Sequence, residues 1–134
     1  MEEKKIIVSG KRKRSVARAI IKKGNGKVTI NKVNYLFLPL FRRLMIEEPL
    51  RIAKECGIGG YDIAVSVRGG GVESGIEAAR LAIARALVKA SKSEKLKKAF
   101  LSYDRNLLVA DTRRKEAYKP NDSKARKKRQ KSYR

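Results

Sequence analysis

The sequence has no histidine and no tryptophan, one cysteine, three prolines and three phenylalanines in 134 residues. Each scarcity excludes something. Without histidine the usual acid–base group at neutral pH is missing, and no His/Cys cluster offers a zinc site. Asp62, Asp104, Asp111 and Asp122 stand apart and mostly beside Lys or Arg, as charge balance and caps do. No catalytic residue, metal ligand or cofactor follows from such a set, and no enzyme is expected. Cys56 alone cannot form an internal disulfide, suits a reducing cytosol, and reads as a small buried apolar residue. No apolar run reaches eighteen residues, so nothing spans a bilayer. The start, Met1-Glu2-Glu3-Lys4-Lys5, has no apolar stretch of the kind a secretory signal needs.

Positive charge is abundant. Thirty-five Lys and Arg face thirteen Asp and Glu, a net charge of +22. Residues 111–134 hold eleven of the cations and three of the acids, an excess of eight, which leaves +14 on residues 1–110. A body that repels itself this strongly calls for a polyanionic partner, most commonly nucleic acid. A membrane surface is the rival, but basic membrane helices carry large apolar residues on the opposite face, and these are scarce here. The end of the chain, Ser123-Lys124-Ala125-Arg126-Lys127-Lys128-Arg129-Gln130-Lys131-Ser132-Tyr133-Arg134, has almost no apolar area with which to offset its ordering entropy. It is expected to order on a polyanion. Two parts follow: a globular domain over 1–110 and an extended basic tail over 111–134.

Within the domain, Ile6-Ile7-Val8 predicts a first strand, and Gly10-Lys11-Arg12-Lys13-Arg14 a basic cluster. The cluster suits a solvated turn, an import-type patch or, in so basic a chain, RNA contact. Gly24-Asn25-Gly26 between two strand-like runs predicts a hairpin joining residues 16–21 to 27–30. Asn31 to Asn34 is a second polar turn, and Tyr35 to Leu38 an apolar run. A helix from Pro39 would turn Leu40, Phe41, Leu44 and Met45 inward and Arg42 and Arg43 outward. Pro49 should interrupt it, leaving a second short helix over 50–56 closed by Gly57. Alternation over 61–67 predicts a strand. A long helix over 72–90 follows, with Ile76, Ala79, Ile83, Ala86, Leu87 and Ala90 on its core face. Ser91-Lys92-Ser93-Glu94 fits a capping box for a last helix with Leu96, Ala99, Phe100 and Tyr103 inward. Leu107-Leu108-Val109-Ala110 is the last apolar run, and Pro120-Asn121-Asp122 a turn within the tail.

The loop Arg68-Gly69-Gly70-Gly71 between strand and helix lacks the Lys of a Walker loop, and Ser74 stands where a dinucleotide fingerprint needs its last glycine. Two compatible readings remain. The glycines make a tight turn, or their backbone approaches an RNA phosphate beside a helix N-terminus.

Taken in order, the motifs resemble the ribosomal protein S nine family in its archaeal form, over essentially the whole chain. They are Gly10-Lys11-Arg12-Lys13 with Ala17-Arg18, Gly24-Asn25-Gly26, Glu48-Pro49-Leu50, Val67-Arg68-Gly69-Gly70-Gly71 and Ala82-Ile83-Ala84-Arg85-Ala86-Leu87. Tyr103-Asp104-Arg105, Leu108-Val109-Ala110-Asp111 and the ending Gln130-Lys131-Ser132-Tyr133-Arg134 complete the set. The resemblance implies an α/β (α+β) two-layer sandwich like the second domain of ribosomal protein S five, with a left-handed βαβ crossover. It implies a place in the head of the small ribosomal subunit, in the cytoplasm, beside other small-subunit proteins. Small-subunit rRNA would be held by Lys11, Arg12, Lys13, Arg14, Arg18, Arg68, Gly69, Gly70, Gly71, Arg113, Arg114, Lys124, Arg126, Lys127, Lys128 and Arg129. The tail would reach the anticodon stem-loop of peptidyl-site tRNA through Arg134, Lys131 and Tyr133. Charge alone leaves two alternatives, a protein partner of an RNA-processing ribonucleoprotein and a non-specific RNA chaperone.

Overall fold

A computed structural model describes residues 5–120, Ala125, Tyr133 and Arg134. It is a mixed α+β fold with a five-stranded sheet and three helices. In chain order these are β1 (Ile6–Arg12), β2 (Ser15–Lys23), β3 (Val28–Ile30), β4 (Val33–Asn34), α1 (Leu40–Glu55), β5 (Tyr61–Arg68), α2 (Val72–Ser91) and α3 (Glu94–Tyr103). Short 3-10 turns at Tyr35–Phe37 and Arg105–Leu107 flank the helical part. The strand order is β1-β2-β5-β3-β4; β5 runs antiparallel to β2 and parallel to β3, and α1 lies in the connection between the parallel pair.

The alternation in β2 and β5 sends Ala17, Ala19, Ile21, Ile63 and Val65 into the core and leaves Val16, Arg18, Ile20, Ala64 and Ser66 on an open face. Helix α2 covers the buried face. It is buried nearly all round, with Ile76, Ala79, Ile83, Ala86 and Leu87 joined by Ala78, Leu81, Ala82 and Ala84. Its alanines allow close approach on several sides. A Cβ at Gly10 of β1 would stand 2.5 Å from the Ala78 carbonyl oxygen and 2.8 Å from the Ala82 nitrogen. Gly10 is therefore required for contact rather than for backbone conformation.

Several expectations are corrected by this topology. The Gly24-Asn25-Gly26 segment does not close a hairpin, because β5 is inserted between β2 and β3. The loop instead wraps Asp62 of β5, whose Oδ1 accepts the Asn25 and Lys27 N–H groups, each at 2.9 Å. Turn chemistry is local and could not reveal a strand arriving 35 residues later. The two hairpins lie elsewhere. One turns at Lys13-Arg14 between β1 and β2, so the basic cluster itself is strand and turn. The other turns at Asn31-Lys32, both in the left-handed region (φ 48° and 69°), a pairing of conformations that matches strand twist. Tyr35–Phe37 is a 3-10 turn capped by the Asn34 side chain.

Nor does Pro49 break the helix. α1 runs unbroken through it, although an interior proline costs about 3 kcal/mol. Burial of Ile46, Pro49 and Ala53 in the core, and an ion pair from Glu48 to Arg80 of α2, hold the two halves in line. The buried face is therefore Ile46–Pro49–Ala53, not the expected stripe; Leu40, Phe41 and Leu44 are exposed, and only Met45 packs partly against the core. Gly57 closes α1 as expected, at φ 75°, with Gly57 N–H donating to Lys54 O and Ile58 N–H to Ala53 O. Ser91 ends α2 rather than starting a capping box. Ser93 caps α3 by accepting the Leu96 N–H, Leu96 and Phe100 fill the core, and Tyr103 is exposed.

Two measurements check this account. Gly10→Ala should lower unfolding free energy by about 1–3 kcal/mol in denaturant titration, the usual cost of overpacking. Hydrogen bonds from the loop, that of Lys27 foremost, hold the Asp62 carboxyl below its ordinary value of 3.8. Their stabilisation is present above the unfolded-state pKa and lost as pH falls through the lower folded-state one. The stability gap between the protein and Asp62→Asn should be full at neutral pH and close below about pH 3.8. A gap independent of pH would refute the assignment.

Candidate nucleic-acid interface

Register decides where the basic residues meet. Pairing of Val16 with Arg68 sets the start of β2 beside the end of β5, so the Lys13-Arg14 turn lies against the glycine loop. Ser15, fully buried, ties them together. Its hydroxyl donates to the Gly69 carbonyl at 2.9 Å and lies 2.8 Å from Ser74 Oγ, which accepts the Gly71 N–H at 3.1 Å. Gly69 and Gly70 have φ of 75° and 65°, and a Cβ on Gly70 would fall 2.2 Å from Ser15 Oγ. Both requirements, left-handed backbone and close contact, select glycine there. Gly71 needs neither, with φ of −88° as the N-cap of α2.

Residues 111–115 close the third side. Asp111 accepts from Arg12 Nη1 and from the Arg113 backbone N–H, at 2.9 Å, and side chain. The Arg113 side chain, then its backbone N–H, holds the Asp111 carboxyl well below the usual carboxylate range. Arg114 Nη1 donates back to the Asp111 and Arg113 carbonyls. The result is an open groove of about 550 Å³ lined by Arg12, Lys13, Arg14, Gly70, Gly71, Ser74, Arg113, Arg114 and Lys115. Six of these nine residues are Lys or Arg and none is acidic. The positive end of the α2 dipole opens into the same space.

The expected RNA-binding residues thus separate into distinct environments. Lys13, Arg14, Gly70, Gly71, Arg113 and Arg114 meet in this groove, with Gly69 beneath it. Arg12 lines it too, but its guanidinium is largely buried between Glu77, 2.6 Å from Nε, and Asp111. It anchors the segment at 111 to the body. Arg18 and Arg68 lie on the open sheet face, lining a second groove with Val16, Ile20 and Lys32, and Lys11 stands across from Val16 on β1. Tyr133 and Arg134 are exposed. Lys124, Arg126, Lys127, Lys128, Arg129 and Lys131 lie outside the described residues.

Sequence reading missed Lys32 and Lys115, whose placement depends on a turn and on the path of the chain after α3. It also missed the internal use of two arginines. Arg80 reaches Glu48 and Asp104 (Nη2 to Oδ2 3.3 Å), linking α1, α2 and the end of α3. Arg85 donates to the Leu108 carbonyl at 2.9 Å and the Ser9 carbonyl at 3.1 Å. Among the described residues no group of acids and cysteine could hold a metal ion, and no helix is long and apolar enough to cross a membrane.

The family described as Ribosomal protein S9/S16 matches residues 10–134. The chain belongs to that family. A small ribosomal subunit protein uS9 of Methanococcus maripaludis strain C7 is 44% identical over 128 residues, covering 93% of this chain and 95% of that protein. The family match spans the groove, the glycine loop and the last residues of the sequence alike. The S9/S16 family is structural and not enzymatic.

Substitution in the glycine loop separates its two requirements. Gly70→Ala should cost about 1–3 kcal/mol of stability from strain and collision. Gly71→Ala, whose Cβ would meet nothing nearer than Ser74 Oγ at 3.9 Å, should be close to neutral in the same urea titration.

Proposed function

We propose that the protein is a structural component of the small subunit of the cytoplasmic ribosome, and that the groove between the Lys13-Arg14 turn, the glycine loop and residues 111–115 holds rRNA phosphates. The observation that carries this reading is the convergence of six cations on the N-terminus of a 20-residue helix, four of them, Lys13, Arg14, Arg114 and Lys115, in no ion pair among the described residues. Lys13 and Arg14 form no ion pair among the described residues, so their charge is available to a ligand. Ammonium and guanidinium groups with backbone N–H donors recognise phosphate oxygens without reading bases. Arg18, Arg68 and Lys11 extend the contact over the open sheet face. Family membership supports the same reading, and neighbouring small-subunit proteins are the other partners it implies.

Finer parts of the proposal rest on the resemblance of the motifs. The basic residues of 124–129 continue the rRNA contact. Lys131, Tyr133 and Arg134 touch phosphates of the peptidyl-site tRNA anticodon stem-loop, where recognition blind to sequence suits a site that accepts every tRNA. The domain ends near residue 110. The crossover between β3 and β5 takes the left hand of the second domain of ribosomal protein S five on the resemblance of the motifs; the parallel pairing of those strands across α1 makes a crossover but does not set its hand.

Salt dependence tests the groove. Lys13→Ala with Arg14→Ala should make the log–log dependence of rRNA-fragment affinity on salt shallower by roughly 1.5–2, about one condensed ion per lost contact. An unchanged slope places the phosphates elsewhere. Deleting residues 131–134 should weaken peptidyl-site tRNA binding while incorporation into small subunits persists; loss of incorporation would make the tail a scaffold instead.

A further inference from the structure

One surface of the molecule has the opposite character to the groove. Leu36 and Phe37 on the 3-10 turn, and Leu40, Phe41 and Leu44 on the first turns of α1, are all exposed, the two phenylalanines by 82% and 80%. Val33 on the short edge strand β4 adds to the same stretch. Between Lys32 and Glu47 the only charged side chains are Arg42 and Arg43. Both are engaged, Arg42 with Glu73 at 2.8 Å and Arg43 with Glu47 at 3.4 Å. A chain of +22 therefore keeps one strip with no uncommitted cation and with two of its three phenylalanines held in water.

We propose that this strip is the seat of a neighbouring protein in the small subunit, one that presents an apolar face poor in Lys and Arg. The inference rests on the small-subunit reading above. Charge selects the occupant. RNA gains no phosphate contact from a surface whose two cations already have carboxylate partners. A second copy of this chain would bring +22 against +22, and that repulsion opposes pairing through a strip with no acid free to offset it. Aromatic anchors with depleted charge are the composition of the centre of a protein–protein contact, and apolar patches left exposed by a fold commonly mark one. α1 explains how the strip arises. Its buried face is set by Ile46, Pro49 and Ala53, which turns Leu40, Phe41 and Leu44 away from the core.

The test uses the full chain with Phe41 replaced by photoreactive benzoylphenylalanine, incorporated into small subunits and irradiated. The expected product is a crosslink to one other protein of the subunit, at an apolar segment. Phe37→Ser with Phe41→Ser, introduced beside a benzoylphenylalanine at position 44, should reduce that crosslink about tenfold, as loss of aromatic anchors does. The unfolding midpoint should stay unchanged. A crosslink only to rRNA or to a second copy, or none from incorporated chain, overturns the inference. Failure of the unsubstituted chain to enter small subunits would instead overturn the small-subunit reading beneath it.

Discussion

Strand β1 and helix α2 meet backbone to backbone, and the rest of the structure depends on that closeness. Gly10 supplies the gap on one side, and Ala78 and Ala82 line it on the other. With the helix this near the sheet, Arg85 can reach the Ser9 carbonyl and Arg12 can reach Glu77. The same placement aims the N-terminus of α2 at the turn between β1 and β2. A larger residue at any of the three contact positions would move the helix, and with it the loop that forms one wall of the cationic groove. Small side chains here set distances rather than fill volume.

Arginine has two roles in this molecule, and they are separated by place. Arg12, Arg80 and Arg85 face inward, each bridging elements remote in sequence through carboxylates or carbonyls. The planar guanidinium suits such work because it offers several donors in fixed directions. Lys13, Arg14 and Lys115 face the groove, where lysine and arginine alike can serve as charges for phosphate. Asp111 lies on the boundary. It joins the inward Arg12 to the outward Arg113, so the start of the segment over 111–115 is held by two cations rather than one.

Much of this was legible in the sequence, and the exceptions share a cause. Strand β5, helix α2 and the glycine turn between them are local patterns, and they were read correctly because period and turn chemistry act over a few residues. The Gly24-Asn25-Gly26 segment carried a genuine turn signal, yet its strands are parted by β5, and only the long-range pairing decides that. Pro49 carried a genuine stop signal, outweighed by burial of its ring and by Glu48 reaching Arg80. The face of α1 followed from that error, since a helix broken at Pro49 would have offered Leu40 and Phe41 as its core. At the groove, residue type marked out the cations but not their state. Nothing in the neighbours of Arg12 reveals that Glu77 and Asp111 enclose it.

The position of β5 bears on the order in which the chain can become a protein. On a chain made from its N-terminus, β2 and β3 are complete by residue 30, but each lacks β5 beside it until residue 68 exists. Until then the strands can pair only as two separate hairpins, β1 with β2 and β3 with β4, and a two-stranded hairpin is marginal in water. Helix α2, which covers the buried face, is made later still. For that interval the inner row of Ala17, Ala19 and Ile21 has neither a sheet nor a helix over it, and an open strand edge invites wrong pairing. Folding of this domain is therefore a late and collective event in synthesis, with its first thirty residues waiting on its middle.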